Sequence, residues 1–306
     1  MNKNKTRSRR LLALLASSCL FAAAPAAFAG EGAFGWVYGV DLQPQGKYEL
    51  EQKVDVTHGQ AEGTYVLGLY RTSLEYGVTN DFQIAGYLNM ASINANQNYI
   101  SPEVCSTIPC TAGFGVPSQY NTQDKYQSGG YDGGSLEFIY RLSNPVTSPV
   151  GVALYFEPTW GKLEDELEYR LLLQSNFLDD RLVFAVNFLF EQEREKYDPL
   201  GGVIVNSMGD ILYGASYRFA PNWSAGLEGR FHTDHDGYWF NTKTQRANFI
   251  GPNIHYADQK WWMTAAWRHQ IGGTCYADGT ADCSLGKVWD NHGRNQFMLK
   301  VGYLLN

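Results

Sequence analysis

The sequence predicts an all-β fold, namely a transmembrane, antiparallel, up-and-down β-barrel of about twelve strands. Three observations predict it: an N-terminus typical of exported proteins, a series of hairpins with period-two alternation, and aromatic residues clustered beside the turns. Alternation places two different environments on the two faces of each strand. An exported chain with this pattern is either a secreted β-rich domain or a membrane barrel.

The first 29 residues have the layout of a secretory signal peptide. Five basic residues precede an apolar run from Leu11, and the tripeptide AFA at Ala27–Ala29 matches a cleavage site. We therefore predict that residues 1–29 are cleaved and that the protein is exported. A lipoprotein anchored at Cys19 is the alternative, although the residues before Cys19 form a poor lipobox.

Composition excludes one class of partner. Without the signal peptide the chain keeps 19 basic and 31 acidic residues, a net charge of 19 − 31 = −12. Proteins that bind nucleic acid carry a basic surface. We therefore expect no nucleic-acid partner. The mature chain also has no apolar run of the roughly 18 residues that a membrane helix needs.

Four cysteines remain after cleavage, in two local pairs. Cys105 and Cys110 lie in CSTIPC, and Cys275 and Cys283 lie in CYADGTADC. Exported proteins oxidise such pairs, and neither pair has the C-x-x-C spacing of a zinc site. Two disulfides are therefore predicted, with zinc binding by the four thiols as the alternative.

A strand–turn–strand unit recurs along the chain. The five units are EYGVTNDFQIAGYL, IYRLSNPVTSPVGVALYF, LLLQSNFLDDRLVFAVNFLF, SYRFAPNWSAGLEGRF and HYADQKWWMTAAW. Asn, Asp or Pro occupies each turn, and longer segments join the units. The strands are predicted near 47–56, 64–77, 82–93, 133–142, 150–159, 166–175, 181–191, 208–219, 223–232, 247–256, 261–270 and 295–306. Residues 47–306 are thus the barrel, and an even strand number with short periplasmic turns and long extracellular loops is the outer-membrane pattern.

The final strand, NQFMLKVGYLLN, is still alternating where the sequence stops. We expect it to close the barrel against the first strand, GKYELEQKVDV. A soluble sandwich would also alternate, but the aromatics beside the turns are typical of an interfacial girdle. These aromatics are Tyr76, Phe82, Tyr140, Phe219, Trp223, Tyr256, Trp261 and Trp262.

The C-terminal FMLKVGYLL resembles the β-signal of bacterial outer-membrane barrels. The hairpin series also resembles uncharacterised porin-like proteins of Gram-negative bacteria. The resemblance implies a barrel in the bacterial outer membrane, in contact with its lipid, and assembly through the C-terminal strand by the outer-membrane assembly machinery. It implies no particular substrate.

With apolar faces on lipid, the charged residues of the strands are expected to line the lumen, because a charge facing lipid is costly. The pore-lining candidates are Arg71, Glu75, Glu137, Arg141, Glu168, Arg170, Arg218, Glu228, Arg230, Arg268 and Lys300. The favoured hypothesis is a channel for passive diffusion of small hydrophilic solutes, in which arginines could favour anions. The alternative is a closed barrel, structural or surface-binding, in which the same charges brace the interior.

No enzyme, catalytic residue, metal or cofactor is predicted. A lipid-modifying enzyme is the less favoured alternative, since His255 and His269 have no accompanying nucleophile motif. The histidines and aspartates of FHTDHDGYWF (231–240) offer metal ligands, but no further ligand converges with them in sequence.

Two segments and the oligomeric state stay open. Residues 94–131 form either a constriction inside the lumen or an outer surface. Residues 30–46 lie either in the periplasm or in the lumen.

Overall fold

The protein is described by a computed structural model that covers residues 32–98, 110–120, 124–276, 283–289 and 292–305. The predicted signal peptide and Cys105 lie outside the described residues. Within these ranges, no helix is long and apolar enough to cross a membrane.

Twelve strands of the described chain close into one antiparallel barrel, and two short strands lie in the last loop. The barrel strands are β1 Tyr48–His58, β2 Thr64–Thr79, β3 Phe82–Asn96, β4 Tyr126–Ser143, β5 Gly151–Trp160, β6 Glu164–Phe177, β7 Leu182–Glu195, β8 Ile204–Ala220, β9 Trp223–Asp236, β10 Thr242–Ala257, β11 Trp261–Cys275 and β14 Asn295–Leu304. The two short strands, β12 Cys283–Ser284 and β13 Lys287–Val288, pair with each other.

The last strand closes the barrel, as predicted. β14 pairs with β1 on one side, where Val54 faces Leu299, and with β11 on the other, where Ala265 faces Leu299. Every other barrel strand pairs with its sequence neighbours. The backbone groups of β14 therefore have partners on both edges, which explains why the alternation continues to Leu304.

The strands extend further at the loop end than the sequence predicted. β4 begins at Tyr126 rather than near 133, β7 continues to Glu195 rather than 191, and β10 begins at Thr242 rather than 247. A membrane strand needs only about 9–11 residues. The sheet therefore continues beyond the membrane, where polar residues replace the apolar face that had marked the strands.

The alternation is inverted relative to a soluble sandwich. Along β14, Phe297, Leu299 and Val301 are 37–41% exposed on the outside, whereas Lys300 between them is 1% exposed. The same holds along β7, where Phe184 and Phe188 point outward. Because an apolar outer band around a polar interior suits only a lipid solvent, the barrel spans a membrane.

Rings from neighbouring strands meet beside the short turns. Trp223 and Tyr256 have centroids 4.9 Å apart, and Tyr256 and Trp261 are 5.0 Å apart. These contacts agree with a girdle at headgroup depth. Trp262 is the exception, because it is 2% exposed and points into the barrel, where its Nε1 donates to Glu49 at 2.9 Å. It follows Trp261 directly, and successive side chains of a strand point to opposite faces.

Cys275 and Cys283 form a disulfide, as predicted, with Cα atoms 5.8 Å apart. It joins the end of β11 to the short sheet of the last loop. Cys110 is also disulfide-bonded, and its predicted partner, Cys105, lies outside the described residues.

Candidate functional site

Residues 32–43 lie inside the barrel, in contact with strands from around its circumference, and the exposed residues 44–46 lead from there to β1. The segment begins near β11, where the Thr264 hydroxyl donates to the carbonyl of Gly32. It reaches furthest at Trp36 and returns to the turn between β2 and β3, where Gln45 N donates to Asn80 Oδ1 at 3.1 Å. Both ends of the segment are therefore at the periplasmic end, and we refer to residues 32–46 as the plug.

The plug is held by side chains of the wall that bond to its backbone. Gly35 N and Trp36 N donate to the two carboxylate oxygens of Glu228, at 2.8 and 2.9 Å. Asn187 accepts from Tyr38 N at 2.7 Å and donates to the Tyr38 carbonyl at 2.9 Å. Buried backbone groups need partners, and here polar side chains take the place of a neighbouring strand.

Two glutamines continue the pattern toward the periplasmic end. Gln174 accepts from Val40 N at 2.8 Å, and Gln83 accepts from Gln43 N at 2.7 Å. Each is a buried, inward-pointing polar residue near the short-turn end of its strand, Gln174 toward the end of β6 and Gln83 at the start of β3. The sequence analysis did not predict these amides, because only charged residues were considered as lumen lining. An Asn or Gln at an inward position of an alternating strand is the pattern that would have identified them.

The apolar side chains of the plug pack into two clusters with the wall. Phe34, Trp36 and Val37 contact a cluster that includes Ala185 and Leu212, all of it buried. The second cluster joins plug and wall residues, namely Tyr38, Val40, Leu42, Ile139, Ala153, Tyr155 and Leu172. Removing this area from water stabilises the docked plug.

Small residues of both the wall and the plug let the two pack closely. A Cβ on Gly214 would lie 2.6 Å from the Phe34 ring, and a Cβ on Gly35 would lie 2.6 Å from Ala266 Cβ. Neither distance is tolerated by packed atoms. The wall is therefore shaped to the plug.

Three arginines bind the plug directly, and one of them, Arg141, donates to the Val40 carbonyl at 3.3 Å. Arg268 lies over the Trp36 ring, 4.0 Å from its centroid, while the Trp36 Nε1 donates to Asp55 at 2.8 Å. Arg170 lies 4.6 Å from the Tyr38 ring centroid and donates to the Trp36 carbonyl at 3.3 Å. A desolvated cation–aromatic contact contributes up to about 2 kcal/mol.

Other inward charges contact an opposite charge or a tyrosine. Arg71 contacts Glu157 and lies over the Tyr87 ring at 4.2 Å. The Tyr87 hydroxyl donates to Glu137 at 2.8 Å and accepts from Lys53 Nζ at 3.0 Å.

Toward β1 and β14, acids outnumber bases. Lys300 lies 4.0 Å from Glu51, which also pairs with Lys53 at 3.0 Å. Glu49 and Glu75 are buried beside them.

The structure therefore separates the predicted pore-lining residues into an interior group and a rim group. The interior group is Arg71, Glu75, Glu137, Glu168, Arg170, Glu228, Arg230, Arg268 and Lys300. Arg141 and Arg218 belong to the periplasmic rim. Arg141 pairs with Asp81 at 3.0 Å, and Arg218 donates to the carbonyl of Asp179 in the turn after β6.

The outer end of the lumen is covered by loop residues. Phe114 and Val116, from the segment after β3, are buried against Tyr65, Leu67 and Ile93 on the inner wall. In the last loop, Val288 and Trp289 are also buried. Residues 110–116 thus fold inward, whereas Ser118 and Gln119 are exposed.

The two histidines considered for catalysis lie apart. His255 Nδ1 contacts Thr264 Oγ1 at 2.8 Å, beside the plug. His269 lies on the outward face of β11, where its Nδ1 contacts Asn295 Oδ1 at 3.0 Å.

Comparison with known proteins gives a family. The profile of a family of unknown function (DUF6662) matches residues 26–305. The chain belongs to this family. Among curated proteins, no sequence matches the chain significantly.

Solved structures with a similar fold are outer-membrane barrels. The COG4313 outer membrane channel from Pseudomonas putida F1 aligns with a TM-score of 0.54 and 7% identity, covering 86% of this chain and 97% of that one. The NanC porin aligns with a TM-score of 0.48 and 10% identity, covering 83% and 98%. The KdgM porin aligns with a TM-score of 0.42 and 10% identity, covering 83% and 98%. The fold shared with the COG4313 channel and the apolar outer band together place this chain in the bacterial outer membrane.

Proposed function

We propose that the protein is an outer-membrane channel for small hydrophilic solutes, and that the plug closes it in the resting state. One observation carries the proposal: the plug is held by wall side chains and lies outside the ladder of the barrel sheet. The plug is therefore able to leave without breaking a strand pairing.

The path of the plug supports withdrawal toward the periplasm. Its contacts begin at Thr264 and end at Asn80, both near the short turns, so no part of it passes through the outer mouth. Once it leaves, the wall presents the carboxylate of Glu228, the amides of Asn187 and Gln174, and the paired charges around them. A lining of this kind suits water and polar solutes.

The net charge of the lining is negative, which favours cations. The arginines alone had suggested a preference for anions. Ten buried acids face inward, namely Glu49, Glu51, Glu75, Glu137, Glu157, Glu191, Glu193, Asp210, Glu228 and Asp234. Among the described residues of the wall, the interior bases are Lys53, Arg71, Arg170, Arg230, Arg268 and Lys300. Fixed negative charge attracts cations into a pore.

The covered outer end favours a second candidate, a barrel that stays closed and acts through its outer surface. Phe114, Val116 and Trp289 fill the lumen there with apolar side chains. In the channel proposal these loops must move as well. In either function, the outward face of β14 is the surface that we expect the assembly machinery to recognise. No step of either function requires catalysis.

Planar-bilayer conductance of the refolded mature protein distinguishes the two. We expect the wild type to be closed most of the time and a variant lacking residues 32–43 to conduct in discrete steps, with a reversal potential that favours cations. If both proteins insert, migrate as folded barrels on unheated gels and stay silent, the closed barrel is correct and the channel proposal fails.

A further inference from the structure

His232, Asp234 and His292 meet at the outer end of the lumen. His232 and Asp234 lie two positions apart on β9 and point inward, whereas His292 comes from the loop before β14. The Nε2 atoms of the two histidines are 2.6 Å apart, and His232 Nε2 lies 2.8 Å from Asp234 Oδ1. His292, 60 residues from His232 in sequence, supplies the further ligand that the sequence of residues 231–240 did not offer.

All three side chains are withdrawn from solvent. His232 is 0% exposed, His292 3% and Asp234 8%. His292 Nδ1 is buried without a hydrogen-bond partner among the described residues. A histidine with one nitrogen unpartnered and the other aimed at a second imidazole and a carboxylate is poorly satisfied by protein atoms alone.

The surroundings of His232 orient its Nε2 toward the cluster. Its Nδ1 contacts wall residues, lying 2.6 Å from Asp210 Oδ1 and 2.7 Å from Arg230 Nη2. Arg230 can only donate and pairs with Asp210, so the tautomer that suits the cluster has Nδ1–H donating to Asp210 and a free lone pair on Nε2. A carboxylate on the far nitrogen is the usual partner of a metal-binding histidine. Gln245 Nε2 contacts Asp234 Oδ2 and holds that carboxylate in turn.

The local charge favours a cation. Asp210 and Asp234 are opposed by Arg230, so the immediate group carries one excess negative charge when the histidines are neutral. Two Nε2 atoms and the Asp234 carboxylate, all bearing lone pairs, converge: His232 Nε2 lies 2.8 Å from Asp234 Oδ1, and His292 Nε2 lies 3.7 Å from Asp234 Oδ2. Neutral imidazole and carboxylate together are ligands of Zn²⁺ and related ions.

We propose that His232, His292 and Asp234 bind one divalent transition-metal ion, with Zn²⁺ as its representative. Tetrahedral ligands at about 2.0–2.1 Å from zinc are about 3.3 Å apart, so His292 must move outward by about 0.7 Å from its 2.6 Å contact with His232. It lies in a loop rather than in the barrel ladder. A cavity of about 140 Å³ borders His292 and Arg230, which is room for water as the fourth ligand.

The site ties the last outer loop to β9, because its ligands come from both. A measurement of metal binding tests this site alone, because its result does not depend on whether the barrel conducts.

The test is equilibrium dialysis of tag-free, chelator-treated protein, refolded in detergent, against ZnCl₂. We expect one Zn²⁺ per chain with a Kd of about 1 μM or below. His292→Ala and Asp234→Asn should weaken binding on the order of 100-fold or more, since even the loss of a supporting partner costs 10–100-fold. His235→Ala is the matched control: it lies in the same motif on the opposite face, against Phe240, and should bind as the wild type does.

Folding of each variant is checked by heat-modifiable migration on gels. If His292→Ala does not fold, His292→Gln is used in its place. The Co²⁺-loaded wild type should show the visible absorption of a four-coordinate ion, lost in the His292 variant. Wild-type protein that binds no stoichiometric Zn²⁺ at about 100 μM would overturn the proposal. Equal affinity in the wild type and a folded His292 variant would do the same.

Discussion

Replacing Glu228 by Gln should release the plug. The carboxylate accepts three hydrogen bonds, from Gly35 N at 2.8 Å, Trp36 N at 2.9 Å and Asn253 Nδ2 at 3.0 Å. A glutamine keeps one acceptor oxygen and turns an NH₂ group toward a donor. One bond to a charged group is lost, and the others become neutral.

The magnitude follows from these bonds. A hydrogen bond to a charged group contributes about 1.5–3 kcal/mol and a neutral one about 0.5–1.5 kcal/mol. Losing one and weakening the rest costs the docked state about 2.5–4 kcal/mol. Because about 1.4 kcal/mol corresponds to a tenfold change in an equilibrium constant, the withdrawn fraction should rise roughly 50- to 1,000-fold.

Thiol labelling measures this fraction. Val37 is 0% exposed in the docked plug, so Val37→Cys should react with a maleimide only after withdrawal. When withdrawal and return are fast, the rate is proportional to the withdrawn population. The rate is compared in Val37→Cys with and without Glu228→Gln. Glu62→Gln, an exposed change in the loop after β1, is the control and should leave the rate unchanged. A ratio below about threefold, where the bond energies require at least 50-fold, would refute the reasoning.

Four further outcomes are expected. Gly214→Val should raise the labelling rate roughly 5- to 100-fold by crowding Phe34, while Gly272→Val, beside open space, should not. Burial raises the pKa of Asp41, so the docked plug holds that proton more tightly than the withdrawn one. Docking should therefore strengthen, and the channel should open less often, as the pH falls from about 7 toward 4. Asp41→Asn should reduce this pH dependence of channel opening. Deleting residues 297–306 removes most of β14's pairing with β1 and β11 and should abolish heat-modifiable folding; a truncated protein that still inserts contradicts this. Mass mapping of a non-reducing digest should find Cys275 joined to Cys283, and free thiols there would contradict it.

Strand number and the outward face were predictable because they depend on local rules. Alternation along Phe297, Leu299 and Val301 identifies the lipid face whichever strands are neighbours. Asn, Asp and Pro mark the short turns through their own backbone preferences. The loop-end bounds, such as that of β7 at Glu195, were less predictable, because a strand that leaves the membrane loses its apolar face while it keeps its hydrogen bonds.

The contents of the lumen could not be read from the sequence. Plug docking depends on Glu228, Asn187 and Gln174, which lie on three different strands and meet the plug only when the barrel closes. Likewise, His292 reaches His232 across 60 residues of sequence. A β-barrel with a lipid face is predictable from the sequence, since a period of two requires no knowledge of distant residues. Whether inward charges line an open pore, pair with one another or hold a plug was decided only by the closed barrel, because those contacts join residues that no local pattern relates.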